Sequence, residues 1–510
     1  MRPPGHDAAC APPLTAVRLA AWSLALGALA LLLLPYAGQV GFTGFMADDA
    51  LYLLLADALK PAHAGDPLLV YVRQVAHLPP LYPALLALAG AGSDALARAH
   101  LVQGVLVVAA LGVQAAYVRQ VSGSDRLGLL TLAVLAVLPA TLLFATELWS
   151  EFLYLVLAGL ALAGAHHARV EPRAWYWAAG LAGLAATTRG LGLALVGALV
   201  VGVAARRRRA LPAVVALAAL PLLLARLAGQ GDPGGYVDVF DARVANLLRI
   251  LDVVMANLHA AGAGWAGLFE DHPGIPARVV GGLVAGLALV GAWPRLRRLE
   301  VDAVYAGLYL GLVAIWPFPD FMTRFLYPLA PLALLYLGCG VRRLATHLAP
   351  RQATRMGVPL ASAGLAVLLV AVAGWSSPLL ARYASPPPGE LAAYRSTRYW
   401  TSPPEPARAL ADLAGKHAMT LFLRGLPAYV GPRQCVHARH PAAVMLHAHR
   451  LAFPAPTGET RPQRPPCRFH LVLADRAQTA AGEEPWPGAR VVAASRVDGR
   501  LVARLLRYDD

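Results

Sequence analysis

With 510 residues, 58% of them hydrophobic and only 14% charged, the chain holds far fewer charges than a soluble protein, which averages about 25%. That balance excludes a soluble globular protein of this length and calls for many membrane spans. The net charge of +15 does not denote a nucleic-acid partner, because much of the arginine lies in short clusters between apolar runs (Arg206 to Arg209, Arg295 with Arg297 and Arg298, Arg342 with Arg343); such clusters set topology and favour anionic headgroups.

A span needs about 20 apolar residues, and in chain order eleven runs meet or approach that length. They are Val17 to Tyr36, Ala97 to Val118, Leu127 to Ala145, Ser150 to Ala168, Ala174 to Thr188, Gly190 to Ala205, Ala210 to Ala228, Ala277 to Trp293, Asp302 to Trp316, Phe325 to Val341 and Val358 to Trp375. The first follows Arg2 and Arg18 like a signal peptide, but it is longer than the usual apolar core and no small-x-small cleavage site follows, so it reads as a retained span. Every even-numbered run ends in basic residues. The positive-inside rule therefore places the N-terminus in the cytoplasm of an inner (plasma) membrane protein, and an odd number of spans places the C-terminal tail outside.

Three segments then fall on the outer side: the first loop (37–98), the loop Gly229 to Pro276, and the tail from Ser376. Within the first loop, Asp48 to Lys60 and Pro79 to Gly90 read as interfacial helices. The tail opens on a proline-rich linker, Ser385 to Gly389. It then shows a helical pattern over Pro406 to Lys416 and short apolar strands over Met419 to Arg424, Phe469 to Ala474 and Arg490 to Ala494. No repeat of fixed period is present. The predicted fold is mainly α: a polytopic membrane domain of about eleven transmembrane helices (1–375) followed by a small extracytoplasmic α/β domain (376–510). Cys435 and Cys467, both in the tail, either pair as a disulfide in an oxidising compartment or stand as two thiols.

The stretch with most chemistry is Asp48-Asp49-Ala50-Leu51-Tyr52, two adjacent carboxylates in an otherwise apolar segment. Charges at the membrane boundary are costly and usually functional, and neighbouring carboxylates can hold different pKa values, which suits one as a general base. Otherwise Asp48 caps a helix and Asp49 fills its first turn. His77-Leu78-Pro79-Pro80-Leu81-Tyr82-Pro83 starts and stiffens a helix. Glu151 heads the fourth run, Arg189 stands alone between the fifth and sixth, and Asp320, Arg324 and Tyr327 cluster at the start of the tenth. Arginine at such a boundary either binds a phosphate through its planar fork or snorkels to the interface. On the predicted topology Asp48, Asp49, Glu151, Arg189 and Arg324 share the outer side, which independent capping and snorkelling do not require. Cys435, His437, His440, His447 and His449 include zinc-ligand types, but their spacing matches no closed site, so they read as surface histidines and no metal is predicted.

These motifs, in this order, resemble the signature of GT-C type membrane glycosyltransferases, whose nearest branches are the dolichyl-phosphate-mannose protein mannosyltransferases and the aminoarabinose transferases of lipid A. Asp48-Asp49-Ala50-Leu51-Tyr52 and the His77 to Pro83 stretch are similar to the family's "D-E-x-x-Y … H-P-P-L-Y-P". Ser150-Glu151-Phe152-Leu153 is similar to "S-E-P-L", Thr188-Arg189-Gly190 to the "T-R" turn, and Arg324-Phe325-Leu326-Tyr327-Pro328 to "R-Y-x-x-P". The departures are Asp49 in place of Glu, Leu78 inserted before the prolines, and Phe325 where Tyr is common.

The resemblance implies transfer of a sugar from a polyprenyl-phosphate donor to a hydroxyl of an envelope lipid, glycan or protein at the outer face, with inversion and with no cofactor. It also implies residue roles: Asp48 as base, Asp49 positioning acceptor or sugar, Arg324 and Arg189 on the phosphate, and Tyr52, His77, Tyr82, Glu151 and Tyr327 lining the substrate site. A transporter or flippase for lipid-linked sugars, a non-catalytic scaffold, and an oligosaccharide polymerase or ligase are the competing readings; a transporter would place its polar residues near the bilayer midplane. Oligomeric state is not readable from the sequence.

Overall fold

The computed structural model describes residues 15–38, 43, 45, 48–75, 78–227, 247–316, 318–348, 353–397, 401, 403, 405–438, 440–454, 467–473, 489–497 and 499–508. Nineteen α-helices and one five-stranded sheet are present among them. The long helix α1 (Ala16–Ala37) enters the bundle, and the first loop carries three short helices: α2 (Asp48–Ala58), α3 (Pro67–Val75) and α4 (Leu81–Leu88). The bundle continues with α5 (Leu96–Ser122), α6 (Asp125–Val137), α7 (Pro139–Ala145), α8 (Glu151–His167), α9 (Ala174–Ala186), α10 (Leu193–Arg206) and α11 (Leu211–Leu227). Then come α12 (Leu247–Ala266), α13 (Ile275–Arg297), α14 (Val301–Ala314), α15 (Met322–Leu326), α16 (Ala330–Leu348) and α17 (Ala353–Ala384). Six helical segments are by themselves long and apolar enough to cross a bilayer, and seven if the bent pair α6–α7 counts as one. This is a multi-pass membrane protein.

All eleven expected runs are helical, with local departures that have local causes. The third run breaks at Leu138, where α6 and α7 meet at 60°. Pro139 lacks an N–H and forces its predecessor out of the helical region, and Leu138 is extended at ψ 126°. The fifth and sixth runs are separated by the extended Arg189 and a single 3₁₀ turn, Gly190–Gly192. The final span runs on to Ala384, past the expected end at Trp375. The expected loop Gly229 to Pro276 instead contains the 20-residue α12. Asn257, midway along α12, donates to the carbonyls of Val313, Ala314 and Trp316 at 3.2, 2.9 and 2.7 Å, so α12 lies across the end of α14. Where α13 crosses α16, a Cβ on Gly291 would stand 2.0 Å from the Tyr336 carbonyl oxygen and one on Gly340 2.1 Å from that of Leu287; only glycine lets the two backbones touch.

After the linker, α18 (Pro406–Gly425) and α19 (Pro441–Ala448) pack with strands β1 (Cys435–Ala438), β2 (Leu451–Pro454), β3 (Phe469–Leu473), β4 (Ala489–Val497) and β5 (Arg500–Tyr508). The sheet order is β2-β1-β3-β5-β4, with β1 parallel to β2 and β3, and β5 antiparallel to β3 and β4. The expected strand Met419 to Arg424 is instead the last turns of α18. It is a short apolar run whose buried members, Met419, Thr420 and Leu423, follow helical spacing. Cys435 and Cys467 are joined as a disulfide, with Cα atoms 5.1 Å apart.

The sheet domain rests on the first loop. His447 Nε2 donates to the Thr43 carbonyl at 2.7 Å, and His449 Nε2 meets Asp66 Oδ2 at 2.9 Å. The Tyr71 ring packs edge-on against Phe453 at 5.5 Å, and Lys416 lies 4.7 Å over Phe45. Two of the tail histidines are thus occupied in docking, and Cys435 in a covalent bridge.

Candidate active site

The head of α8 and the first loop bring the acids and the arginines together. Glu151 sits in the first turn of α8 and is fully buried, where its carboxylate complements the positive end of the helix. Arg189 reaches it from the break between α9 and α10. There the hydroxyls of Thr187 and Thr188 turn back to the Leu184 carbonyl at 2.8 and 2.9 Å and close α9. Arg324, on the single short helix α15, pairs with the same carboxylate through Nε and reaches outward through Nη1 to Asp48 Oδ2 at 2.6 Å. Asp48 heads α2 and retains 30% of its side-chain exposure, against 11% for Arg324 and none for Glu151. Two carboxylates and two guanidiniums from four separate parts of the chain therefore form one continuous ion-pair chain with a single reachable end.

Aromatic residues hold this chain in place. The Arg324 guanidinium lies 4.2 Å over the Trp149 ring, and Arg189 stands 5.9 Å from the Phe325 centroid. Tyr52 bonds through its hydroxyl to Ser150 Oγ at 3.0 Å and packs edge-on against Tyr82 at 4.9 Å. Tyr82 donates to Gln103 Oε1 at 2.9 Å. The Gln103 amide in turn donates to the carbonyls of Glu147 and Trp149 at 2.8 and 3.3 Å. The Leu81 N–H donates to the Thr187 carbonyl at 3.1 Å, which ties α4 to the end of α9 beside Arg189.

The adjacent acids divide. Asp48 faces the opening, while Asp49 is 1% exposed and accepts the Ala50 N–H at 2.8 Å. Glu151, Arg189, Arg324 and Asp48 converge as the shared-side pattern expected. Tyr52, Tyr82 and Tyr327 are buried and committed to the scaffold, Tyr327 through a 2.8 Å bond to Thr141. Asp320 is exposed in the turn before α15 and joins no ion pair among the described residues. His77 lies outside the described residues. Gln103 and Trp149 were not singled out from the sequence. The available signal for Gln103 was a run of polar residues along one span, His100, Gln103 and Gln114, all of which are buried.

The chain is similar to three solved structures. One is ArnT from Cupriavidus metallidurans bound to undecaprenyl phosphate, at 14% identity and a TM-score of 0.48, covering 95% of this chain and 98% of that one. Another is the same ArnT in the apo state, at 14% identity and a TM-score of 0.47, covering 96% and 98%. The third is the Archaeoglobus fulgidus oligosaccharyltransferase tethered with an acceptor peptide, at 12% identity and a TM-score of 0.46, covering 85% and 64%. No protein-family profile and no curated protein matches the sequence.

Proposed function

We propose that this protein transfers a glycosyl group from a polyprenyl-phosphate-linked sugar to a hydroxyl of an envelope acceptor at the outer membrane face, with inversion and without a cofactor or metal. The observation that carries the proposal is the paired cluster itself. A reachable carboxylate, Asp48, stands in hydrogen-bond contact with Arg324, whose other edge is anchored on the buried Glu151.

In this reading Asp48 takes the proton from the acceptor hydroxyl as the oxygen attacks the anomeric carbon. The bond from that carbon to the phosphate oxygen breaks, and its electron pair stays on the departing polyprenyl phosphate. Arg324, with Arg189 behind it, supplies the positive charge that stabilises the leaving phosphate. Glu151 holds both cations at the site before substrate arrives, so little reorganisation is left for the reaction. Asp49 shapes the first turn of α2 and thereby aims Asp48. Asp48, Asp49 and Glu151 head the helices that carry them, Arg189 lies in the break after α9 and Arg324 on the short α15, the arrangement for a donor headgroup at the membrane surface. The disulfide between Cys435 and Cys467 suits a tail in an oxidising compartment.

The test is transfer from a panel of radiolabelled polyprenyl-phosphate sugars in membranes holding wild type or Asp48→Asn. Loss of a general base predicts a fall of about 10²- to 10⁴-fold with unchanged insertion and thermal stability. Equal transfer by both proteins would remove Asp48 as base. Binding of donor by wild type with transfer to no acceptor would favour a transport role.

A further inference from the structure

The far end of α8 carries a second arginine–carboxylate cluster that glycosyl transfer does not use. His166 lies 15 residues beyond Glu151, about 22 Å along the helix axis. Around it Arg169 and Arg206 share Glu300, and Arg295 grips the buried Asp302 through Nε and Nη2, both at 2.9 Å. Arg206 also donates to the carbonyls of Leu299 and Arg298 at 2.8 and 3.1 Å. It thereby holds a turn in which Leu299, a branched residue, takes the left-handed conformation at φ 51°. A narrow cleft with room for about one water runs between these groups, lined by His166, Arg169, Arg206, Arg295, Glu300 and Asp302, so a phosphate engages it from outside through the partly exposed Arg169 and Arg206.

Three features give the cleft an occupant. Its three arginines face two carboxylates, which leaves one positive charge over. Arg169 Nε and Nη1 and the buried His166 Nδ1 have no partner among the described residues. Trp177 and Trp293, 45% and 50% exposed, stand near the N-terminal end of α9 and the C-terminal end of α13, the ends beside Arg169 and Arg295, with Arg297 stacked 4.9 Å from Trp293. Exposed tryptophans mark the headgroup level of a bilayer. A fixed oxyanion at that depth is a lipid phosphate, and the arginine fork matches it.

We propose that this cleft binds the phosphate of an anionic phospholipid headgroup, in the leaflet opposite the Asp48 cluster, with Arg169 as its main contact. The site is independent of the transfer chemistry. It is tested on full-length protein in detergent by native mass spectrometry with dioleoylphosphatidylglycerol, dioleoylphosphatidylcholine and inorganic phosphate. The anionic lipid is expected to bind at least tenfold tighter than the zwitterionic one. Arg169→Gln should weaken it about fivefold, the change one arginine near an anionic surface produces. Arg209→Gln, in the neighbouring exposed run, should leave it unchanged.

Glu300→Gln, which releases Arg169, should tighten binding, so the proposal keeps a test of opposite sign should Arg169→Gln fail to fold. Equal binding of both lipids overturns the proposal, as does an equal loss in Arg169→Gln and Arg209→Gln, which would denote diffuse charge. Saturation of the cleft by inorganic phosphate alone, with no preference for lipid, would reassign it to a soluble anion and overturn the headgroup.

Discussion

The two ends of α8 hold the same residue types and resolve them differently. At the head, Glu151 has no exposed side-chain surface and lies between Arg189 and Arg324, with Asp48 completing a balanced set of four charges. At the tail, Glu300 and its partners Arg169 and Arg206 keep 15%, 28% and 29% of their side-chain exposure, and arginine is in excess. Where water is excluded, each charge must meet a partner or it destabilises the fold; where headgroups and water reach, an unbalanced charge is tolerated and can be used for binding. The head of the helix is also met by the first loop, through Tyr52 on Ser150, and that loop in turn carries the sheet domain through His447 and His449.

The sharpest way to break this comparison is to remove the same charge at each end. Glu151→Gln strips the common partner from two nearly buried arginines, and breaking such a buried set typically costs about 3–5 kcal/mol. It should depress the thermal unfolding midpoint strongly and abolish transfer together with Asp48→Asn. Glu300→Gln, in a half-solvated cluster, should shift the midpoint by a small fraction of that. Unfolding followed in one detergent for both variants decides the matter: equal shifts would mean that the two clusters bear the same structural burden.

These ends were not equally legible. The spans and the gathering of Asp48, Glu151, Arg189 and Arg324 followed from apolar length and motif order, because a bilayer demands long apolar helices. The inward turn of Asp49 did not follow, since two adjacent acids on a helix look alike until the packing partner of each is known. Helix α12 was hidden because Arg249, Asp252, Asn257 and His259 interrupt its apolar run. In the sheet domain β1 and β2 went unread because four-residue strands carry too little periodicity, and Met419 to Arg424 was misassigned for the same reason; β5 is nine residues long, but its burial does not alternate strictly and so gave no strand signal. The brace through Gln103 needed the third dimension, as its partners lie 21, 44 and 46 residues away.

That brace gives a smaller and more local test. Gln103 both accepts from Tyr82 and donates to two carbonyls of the turn before α8, and it is completely buried. Gln103→Leu leaves those groups unpaired, at about 1–3 kcal/mol. Gln103→Glu keeps the acceptor for Tyr82 and loses both donors. If the turn that presents Trp149 to Arg324 depends on the brace, both variants should lower kcat about tenfold, and neither should change lipid binding at the far end of α8. A drop in stability with kcat intact would show that the brace serves only the fold.

The smallest expected effect concerns the cover over the head of α8, and it depends on pH. Burial lowers the pKa of His447 below its ordinary value, opposed by its bond to the Thr43 carbonyl and aided by Arg424. A histidine held neutral in the folded state contributes stability above its unfolded pKa, about 6.5, and that contribution erodes as pH falls below this value toward the depressed one. Burial would raise the Asp66 carboxyl, but the His449 bond and the Leu68 amide outweigh it and hold the group below the usual range. Its contribution therefore survives to lower pH and fades only beneath about 4. Both signs agree: acid loosens the contact between the sheet domain and the first loop, beginning at His447. Protection from hydrogen exchange, corrected for the intrinsic slowing of amide exchange in acid, should fall in the loop segment bearing Thr43, Phe45 and Asp66 as pH drops from 7.5 to 5, while helices at the far end of α8 hold theirs. His447→Gln, which can still donate to Thr43 but cannot take a proton, should remove the onset near pH 6.5 and leave the later step. Protection that stays flat to pH 4 in wild type would mean that the docked domain is held by its ring contacts, Tyr71 on Phe453 and the Lys416 ammonium over Phe45, rather than by the histidines.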